Sequence, residues 1–287
     1  MIKIVYFDRN VVNSIKRQWI VGDSDYLLLR NAVKEGRLLI PISGILLEET
    51  LPILKTPSTL KRVSEEQIMT ELFNWEWVVN FHNELLEDDI RNYAIGAPSA
   101  FPFRSIALTP KQFFNPSGET LKDFINLIDE TKELRRKQLS AIKEARNTYQ
   151  EQFGAYRGSF EEFWKEIAEF TIEKITTPDV LKECSERGLV GLLNVKSVRL
   201  FVTWYVSYFY YNLVRGERVN SSDPGDNYHA VSASVADIFV THDKRLTRML
   251  KRVPIDGFEV VDLKTLLQRL RCPNLFGFDA HDHQPSS

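Results

Sequence analysis

The stretch Asp226-Asn-Tyr-His-Ala-Val-Ser-Ala-Ser-Val-Ala-Asp-Ile-Phe-Val-Thr-His-Asp243 decides how this chain is read. It predicts a helix over Asp226–Val235 that begins on a carboxylate. A short buried strand follows, Ile238–Val240, and leads to a second carboxylate. Three consecutive apolar residues bounded by polar ones are the pattern of a strand buried on both faces, as in a parallel sheet. Ala230, Ala233 and Ala236 are small enough to let the helix lie close to that sheet. Thr241 and Asp243 then fall just past the carboxyl end of the strand, the edge at which open parallel sheets bind ligands.

The same rhythm continues on both sides. Met1–Phe7 is a strand-like run followed by Asp8-Arg9-Asn10. Gly22-Asp23-Ser24 offers a helix start, Tyr26–Glu35 carries apolar residues at helical spacing, and Gly36 closes that helix. Leu38–Ile42 is a second buried strand. Ser43 can cap a helix running to Leu54, with Pro52 weakening its end. Past Asp243 come a helix over Lys244–Lys251, a strand over Phe258–Val261 and a helix over Leu263–Leu270. This alternation predicts an α/β fold, a doubly wound parallel sheet with helices on both faces.

The middle of the chain changes character. From Lys61 to Val214 there is little strand signal. Helices are predicted over Ser64–Ile90, Glu119–Phe153, Ser159–Ile175 and Ser197–Val214. A loop containing Pro98, Pro102, Pro110 and Pro116 fills Ile95–Gly118. The expected organisation is an α/β domain from residues 1–60 and 215–287, with 61–214 a helical insertion packed on it. The tail after Phe276 is polar and is expected to be mobile.

Composition narrows the class. With 287 residues the chain can build one large domain or two small ones around a real core. A net charge of -2 means that any nucleic-acid binding must use local patches rather than the field of the whole molecule. Two cysteines, Cys184 and Cys272, exclude a disulfide framework or a cysteine zinc site and fit a reducing cytoplasm. The apolar run after Met1 is too short for a signal peptide and ends at Asp8. Ser197–Val214 contains Arg199 and falls short of a membrane span, so it reads as a buried amphipathic helix and no membrane partner is expected.

Four acidic positions can meet at one sheet edge: Asp8, Glu49 or its neighbour Glu48, Asp226 and Asp243. Two carboxylates 4 Å apart repel by roughly 4 kcal/mol at an effective dielectric near 20. Four together need protons or a divalent cation, and an all-oxygen set suits Mg²⁺ or Mn²⁺. Each acid alone has a plain structural reading: a turn residue at Asp8, a solvated helix acid at Glu49, helix caps at Asp226 and Asp243. Their order, the strand-end placement and the Thr241-x-Asp243 context favour the joint site. Asn10 and Thr241 can hydrogen-bond the acids. Asp237 lies at the opposite edge and is structural. His229 and His242 flank the site without a metal-ligand pattern and read as bystanders.

Asp8-Arg9-Asn10-Val11-Val12, Ser43-Gly-Ile-Leu-Leu-Glu-Glu49, Asp226-x-x-His-Ala230 and Thr241-His-Asp243 resemble, in order, the motifs of the PIN-domain nuclease family. The spacing from Ser43 favours Glu49 over Glu48. The resemblance covers about residues 1–55 and 220–265 and leaves the middle unexplained. It implies metal-dependent hydrolysis of phosphodiester bonds, with Asp8, Glu49, Asp226 and Asp243 holding one or two Mg²⁺ or Mn²⁺ ions. It also implies a nucleic-acid substrate, RNA rather than DNA, single-stranded or structured, cut to leave a 5′-phosphate. The family includes RNA-processing enzymes, toxins with an antitoxin-like protein partner and defence effectors; this chain is longer than many such toxins. Among partners, a homo-oligomer or an antitoxin-like protein also stays open.

Phosphates need cations beside the acids. Lys244, Arg245 and Arg248, with Lys251 and Arg252, follow Asp243 directly and are the first candidates. A second basic run, Lys132, Arg135, Arg136, Lys137, Lys143 and Arg146, is interleaved with Glu130, Glu133 and Glu144, as on a solvated helix. Trp75, Trp77, Trp204 and the Tyr205–Tyr211 segment read mainly as core, with base stacking as the other use. Two other functions compete: a non-catalytic PIN-like module that binds RNA or protein, and a haloacid-dehalogenase-like phosphohydrolase. The latter needs an acid two residues after Asp8, where this chain has Asn10.

Overall fold

Strand β1 (Lys3–Phe7) sends alternate side chains into two different cores, Val5 and Phe7 to one side and Ile4 and Tyr6 to the other. That is the two-residue period of a strand covered on both faces. The structure, a computed structural model, describes residues 2–18, 23–55, 60–105, 108–153, 156–214 and 223–272; the tail after Phe276 lies outside these.

After β1 come α1 (Arg9–Gln18), α2 (Ser24–Lys34), β2 (Leu38–Leu39), β3 (Pro41–Ser43), α3 (Gly44–Thr50) and a 3-10 turn over Leu51–Lys55. The middle holds α4 (Leu60–Leu72), β4 (Asn74–Val79), α5 (His82–Ile95), β5 (Phe103–Arg104), α6 (Pro110–Phe114), α7 (Gly118–Phe153), α8 (Phe160–Ile175), α9 (Pro178–Arg187), α10 (Leu189–Leu192) and α11 (Lys196–Phe209). The chain closes with α12 (Asp223–Ser232), β6 (Ile238–Val240), α13 (Lys244–Leu250), β7 (Glu259–Val261) and α14 (Leu263–Arg271).

Four strands form a parallel sheet in the order β2-β1-β6-β7, with Val5, Tyr6 and Phe7 opposite Ile238, Phe239 and Val240. One face is covered by α1, α2, α4 and α14 through Val12, Leu29, Met69 and Leu266, which join Phe7 and Val240. The other is covered by α5, α8, α11 and α13 through Ile90, Phe163, Val206 and Leu250, which join Tyr6 and Phe239. Each fully buried side chain of this size contributes about 1.5–3 kcal/mol, so both layers hold the sheet. From β1 the chain crosses to β2 on one side and later returns as β6 on the other. The crevice past the carboxyl ends of β1 and β6 is therefore the topological switch point, where ligands of such sheets bind.

The expected strand Leu38–Ile42 divides at Ile40. Leu38 and Leu39 pair with β1, whereas Pro41–Ser43 pair with β4 in a second sheet, β3-β4-β5. Pro41 has no N–H to continue the first ladder, and the Ile40 carbonyl instead accepts from Asn74 N at 2.8 Å.

The helix expected over Ser64–Ile90 also divides. The Asn74 side chain accepts from Glu76 N at 2.9 Å and Trp77 N at 3.1 Å, a local turn that competes with helix. The residues after it, Trp75, Trp77, Val78 and Val79, are the aromatic and β-branched types that favour strand. The Ile95–Gly118 loop holds β5 and α6, the latter announced by the Thr109 cap and Pro110 at its first position. The helix over Ser197–Val214 changes to a π-helical turn after Phe209, and α9 and α10 were not anticipated. The 61–214 segment, expected as a helical insertion packed on the α/β domain, also contains strands. It adds β4 and β5 beside β3 and supplies most of the second face of the main sheet. Among the described residues no helix is long and apolar enough to cross a membrane.

Candidate active site at the sheet edge

Asp8 ends β1 and caps α1. Its backbone N–H donates to Val240 O at 3.3 Å, which anchors it to β6, and its Oδ1 accepts from Val11 N at 2.9 Å. The Thr241 hydroxyl, past the end of β6, donates to Asp8 Oδ2. The same hydroxyl oxygen accepts from Asp243 N at 2.9 Å. Thr241 therefore ties the two strand-end acids together. Burial pushes the Asp8 carboxyl above the usual range, against the pull of His229, Thr241 and the Val11 N–H; Glu49 adds to the rise.

Asp243 is half-buried and is the N-cap of α13, with Oδ1 accepting from Leu246 N at 2.8 Å. This is the capping role weighed for it from sequence. It also lines a polar cleft of 700 Å³ with Asn10, Asn13, His242, Lys244 and Arg245. Asn10 is exposed on α1 and faces this cleft, while the side-chain partners of Asp8 are Val11 and Thr241.

Of the other two acids, Glu49 contacts His229 directly and Asp226 shares the helix of His229. Helix α12 starts at Asp223, so Asp226 stands in its first turn rather than at its cap, three residues before His229 and on the same face. Ser43 caps α3, accepting from Leu46 N at 3.2 Å, and the helix then carries Glu49 inward. His229 Nε2 lies 3.0 Å from Glu49 Oε2, and Nδ1 lies 2.8 Å from the Tyr6 hydroxyl, which lies 2.8 Å from Ser43 Oγ. Arg135 of α7 reaches Glu49 Oε1 at 3.4 Å and Glu48 Oε2 at 4.0 Å. A hydrogen-bonded chain thus runs Ser43–Tyr6–His229–Glu49–Arg135 across the crevice. It has two proton settings. A neutral His229 accepts from the Tyr6 O–H, which in turn accepts from Ser43. A protonated His229 donates to Tyr6, whose O–H then turns to Ser43.

Burial alone would lower the His229 pKa, but Glu49, Asp8 and Asp226 outweigh it and raise the value above 6.5. Burial alone would raise the Glu49 carboxyl; His229, Arg135 and Arg9 outweigh it and hold it below the ordinary value. Glu48 is shifted upward by burial despite Arg135. The contact with His229 separates the neighbours: it is made by Glu49, while Glu48 reaches Arg135 at 4.0 Å. At its rim His82 stacks on Tyr228 at 3.6 Å, and burial together with the charge of His229 lowers its pKa to about 4. Behind the cluster the buried Glu65 is paired by Arg9 and, at 2.6 Å, by Lys16, and Arg9 Nη1 donates to Thr50 at 2.9 Å.

The crowding of acids foreseen from sequence is relieved by a buried imidazole, by Arg135 and by the upward shift of Asp8. The reading of His229 as a bystander is corrected: it is the hub. The only sequence signal was its place on the same helical face as Asp226. His242 remains at the exposed margin of the cleft.

Of the basic residues, Lys244 and Arg248 are exposed on α13 and Arg245 is half-buried, with Arg245 lying over Tyr208 at 5.5 Å and Arg248 over Tyr211 at 4.1 Å. On α7, Lys132 and Arg136 pair with Asp129 and Glu133 one turn away, the pattern of a solvated face, and Arg135 turns inward. Trp204, Tyr208, Tyr210 and Tyr211 are core; Trp77 is exposed beside Phe101 and Phe103.

An all-oxygen set of Asp8, Glu49, Asp226 and Asp243 has the donor chemistry of a hard divalent cation. The carboxylate oxygens of Asp8 keep a lone pair beyond the bonds just described. Among the described residues, no three His, Cys, Asp or Glu side chains are gathered closely enough to form a ready cation cage.

No protein-family model matches the chain, and neither curated proteins nor solved structures give a match to it.

Proposed function

We propose that the protein is a metal-dependent nuclease of PIN-like type, acting on RNA. One observation carries the reading. Asp8 and Asp243, past the ends of the parallel strands β1 and β6, are joined through the Thr241 hydroxyl at the switch point of the sheet, and Glu49 is held 3.0 Å from the buried His229. Acids delivered to the carboxyl edge of a parallel sheet are what a cation-assisted hydrolase needs.

Asp8, Glu49, Asp226 and Asp243 would hold Mg²⁺ or Mn²⁺, which when bound supplies a water of lowered pKa and charge for the leaving oxygen. The chain's own residues do the rest. Thr241 holds Asp8 in register with Asp243. His229 and Arg135 hold Glu49 inward and keep it ionised. Lys244 and Arg245, which share the cleft with Asp243, and Arg248 one turn further along α13 would receive phosphate.

A second reading, a binding module without catalysis, draws on the engagement of both oxygens of Asp8 and of Glu49 within the protein. Cleavage of single-stranded RNA and DNA oligonucleotides in Mn²⁺, Mg²⁺ or EDTA, wild type beside Asp243→Asn, decides between them. Asparagine caps a helix as well as aspartate, so the variant removes charge and keeps α13. Metal-dependent cleavage lost in the variant supports the nuclease. Absence of cleavage by folded wild type favours the binding module.

A further inference from the structure

Two clefts meet at the start of α13. The 700 Å³ cleft that contains Asp243 lies between α1 and α13. The second, of 770 Å³, lies between α13, β7 and the start of α14, along the outer strand of the main sheet. His242 and Lys244 line both. The two clefts are thus neighbours on either side of His242 and Lys244, and a chain passing over these two residues would run from Asp243 along the outer strand, a path we call the trough.

The trough is basic on a chain whose net charge is -2. Lys244, Arg245, Arg248, Lys251 and Arg269 line it. Its acids are Asp243 at the inner end, Asp262, which caps α14 by accepting from Thr265 N at 2.7 Å, and Glu259, whose pairing with Arg269 at 2.6 Å offsets both charges and leaves Lys244, Arg245, Arg248 and Lys251 as the larger cationic share. Its outer part is also apolar, through Val253, Pro254, Ile255 and Phe258. Cations beside an apolar lining suit a polymer with charge on one edge and flat faces on the other. Bases can reach that lining only when unpaired, so duplex is disfavoured. The volume is that of a site for a ligand the size of a nucleotide.

We propose that this trough is the path of a single-stranded polynucleotide on one side of the cleaved bond, with Lys251 and Arg269 as its phosphate contacts farthest from Asp243. The proposal rests on the nuclease reading of the Asp8–Asp243 edge and names where the substrate runs.

The test is anisotropy of a short fluorescein-labelled single-stranded RNA in EDTA, across a salt series, with the matching duplex beside it. Wild type is compared with Lys251→Glu, Lys251→Glu/Arg269→Gln and, as a charge-matched control, Lys165→Glu on the exposed side of α8. The double variant is expected to bind roughly fivefold or more weakly at low salt, and its log–log salt slope to fall by about 0.7 per lost contact. The control should bind as wild type does, and the single strand's advantage over duplex should shrink in the double variant. Lys251 is exposed just past the end of α13, so the single variant carries the test if loss of the Arg269–Glu259 pair harms folding. Equal affinity and slope in the folded variants, or no binding of any oligonucleotide by wild type, would overturn the proposal. Because binding is read without cleavage, a wild type that binds through the trough in EDTA and does not cut when Mn²⁺ or Mg²⁺ is supplied sinks the nuclease reading and keeps the tract.

Discussion

His229 Nε2 sits 3.0 Å from Glu49 Oε2, and the Tyr6 hydroxyl closes the imidazole at 2.8 Å on its other nitrogen. The pair is almost sealed from solvent, with side-chain exposures of 6% and 17%. It joins α12 to α3, elements 180 residues apart in the chain. Breaking one partner of so buried a pair leaves the other charge without compensation, which is where the first prediction arises.

Glu49→Gln should destabilise the protein by about 3 kcal/mol and abolish cleavage. Glu48→Gln, at the half-buried margin, should cost well under half as much. Urea unfolding of the two variants checks this; equal losses would return Glu48 to consideration.

The contribution of the pair should depend on pH in a stated direction. The folded pKa of His229 is raised, so its stabilisation is complete below about 6.5 and is lost as pH rises through the folded value. The folded pKa of Glu49 is lowered, so its share is complete above the ordinary carboxyl value of 4.5 and is lost as pH falls through the folded one. The Tm difference between wild type and His229→Gln should therefore be largest in mildly acidic buffer and shrink towards alkaline pH. A difference that grows with pH would contradict the assignment.

Asp8→Asn should remove metal-dependent cleavage and leave the fold intact. Burial already disfavours the ionised carboxyl, and asparagine can keep the Val11 contact. A thermal melt beside the cleavage assay reads both effects; retained cleavage would take Asp8 out of the site.

Thr241→Val preserves shape and deletes the hydroxyl that serves Asp8 and Asp243. Two polar groups lose a partner at a position only 2% exposed, so a loss of about 1–3 kcal/mol is expected. Thr241→Ser should restore most of it together with cleavage. A serine variant as impaired as valine would assign the effect to the methyl group instead.

Much of this was legible in the chain. Short apolar runs at Met1–Phe7 and Ile238–Val240, each followed by an acid, were enough to place Asp8 and Thr241 at one edge, because a strand buried on both faces leaves few other readings. Local chemistry placed the starts of α2, α3, α8 and α13, since Asp23, Ser43, Ser159 and Asp243 each cap the helix that follows. The strand within Ser64–Ile90 was hidden because its Trp-Glu-Trp-Val-Val run also fits a helical stripe, and a local turn at Asn74 decided the matter.

From residue order alone come the strands β1, β6 and β7, their parallel sense and the positions of Asp8 and Asp243 just past two of them, because strand burial and helix capping are set by near neighbours. Only the tertiary structure decided which groups neutralise those acids. His229, Tyr6 and Arg135 carry no local mark of that role; their roles depend on distances across α12, β1 and α7 and on burial that makes those distances matter.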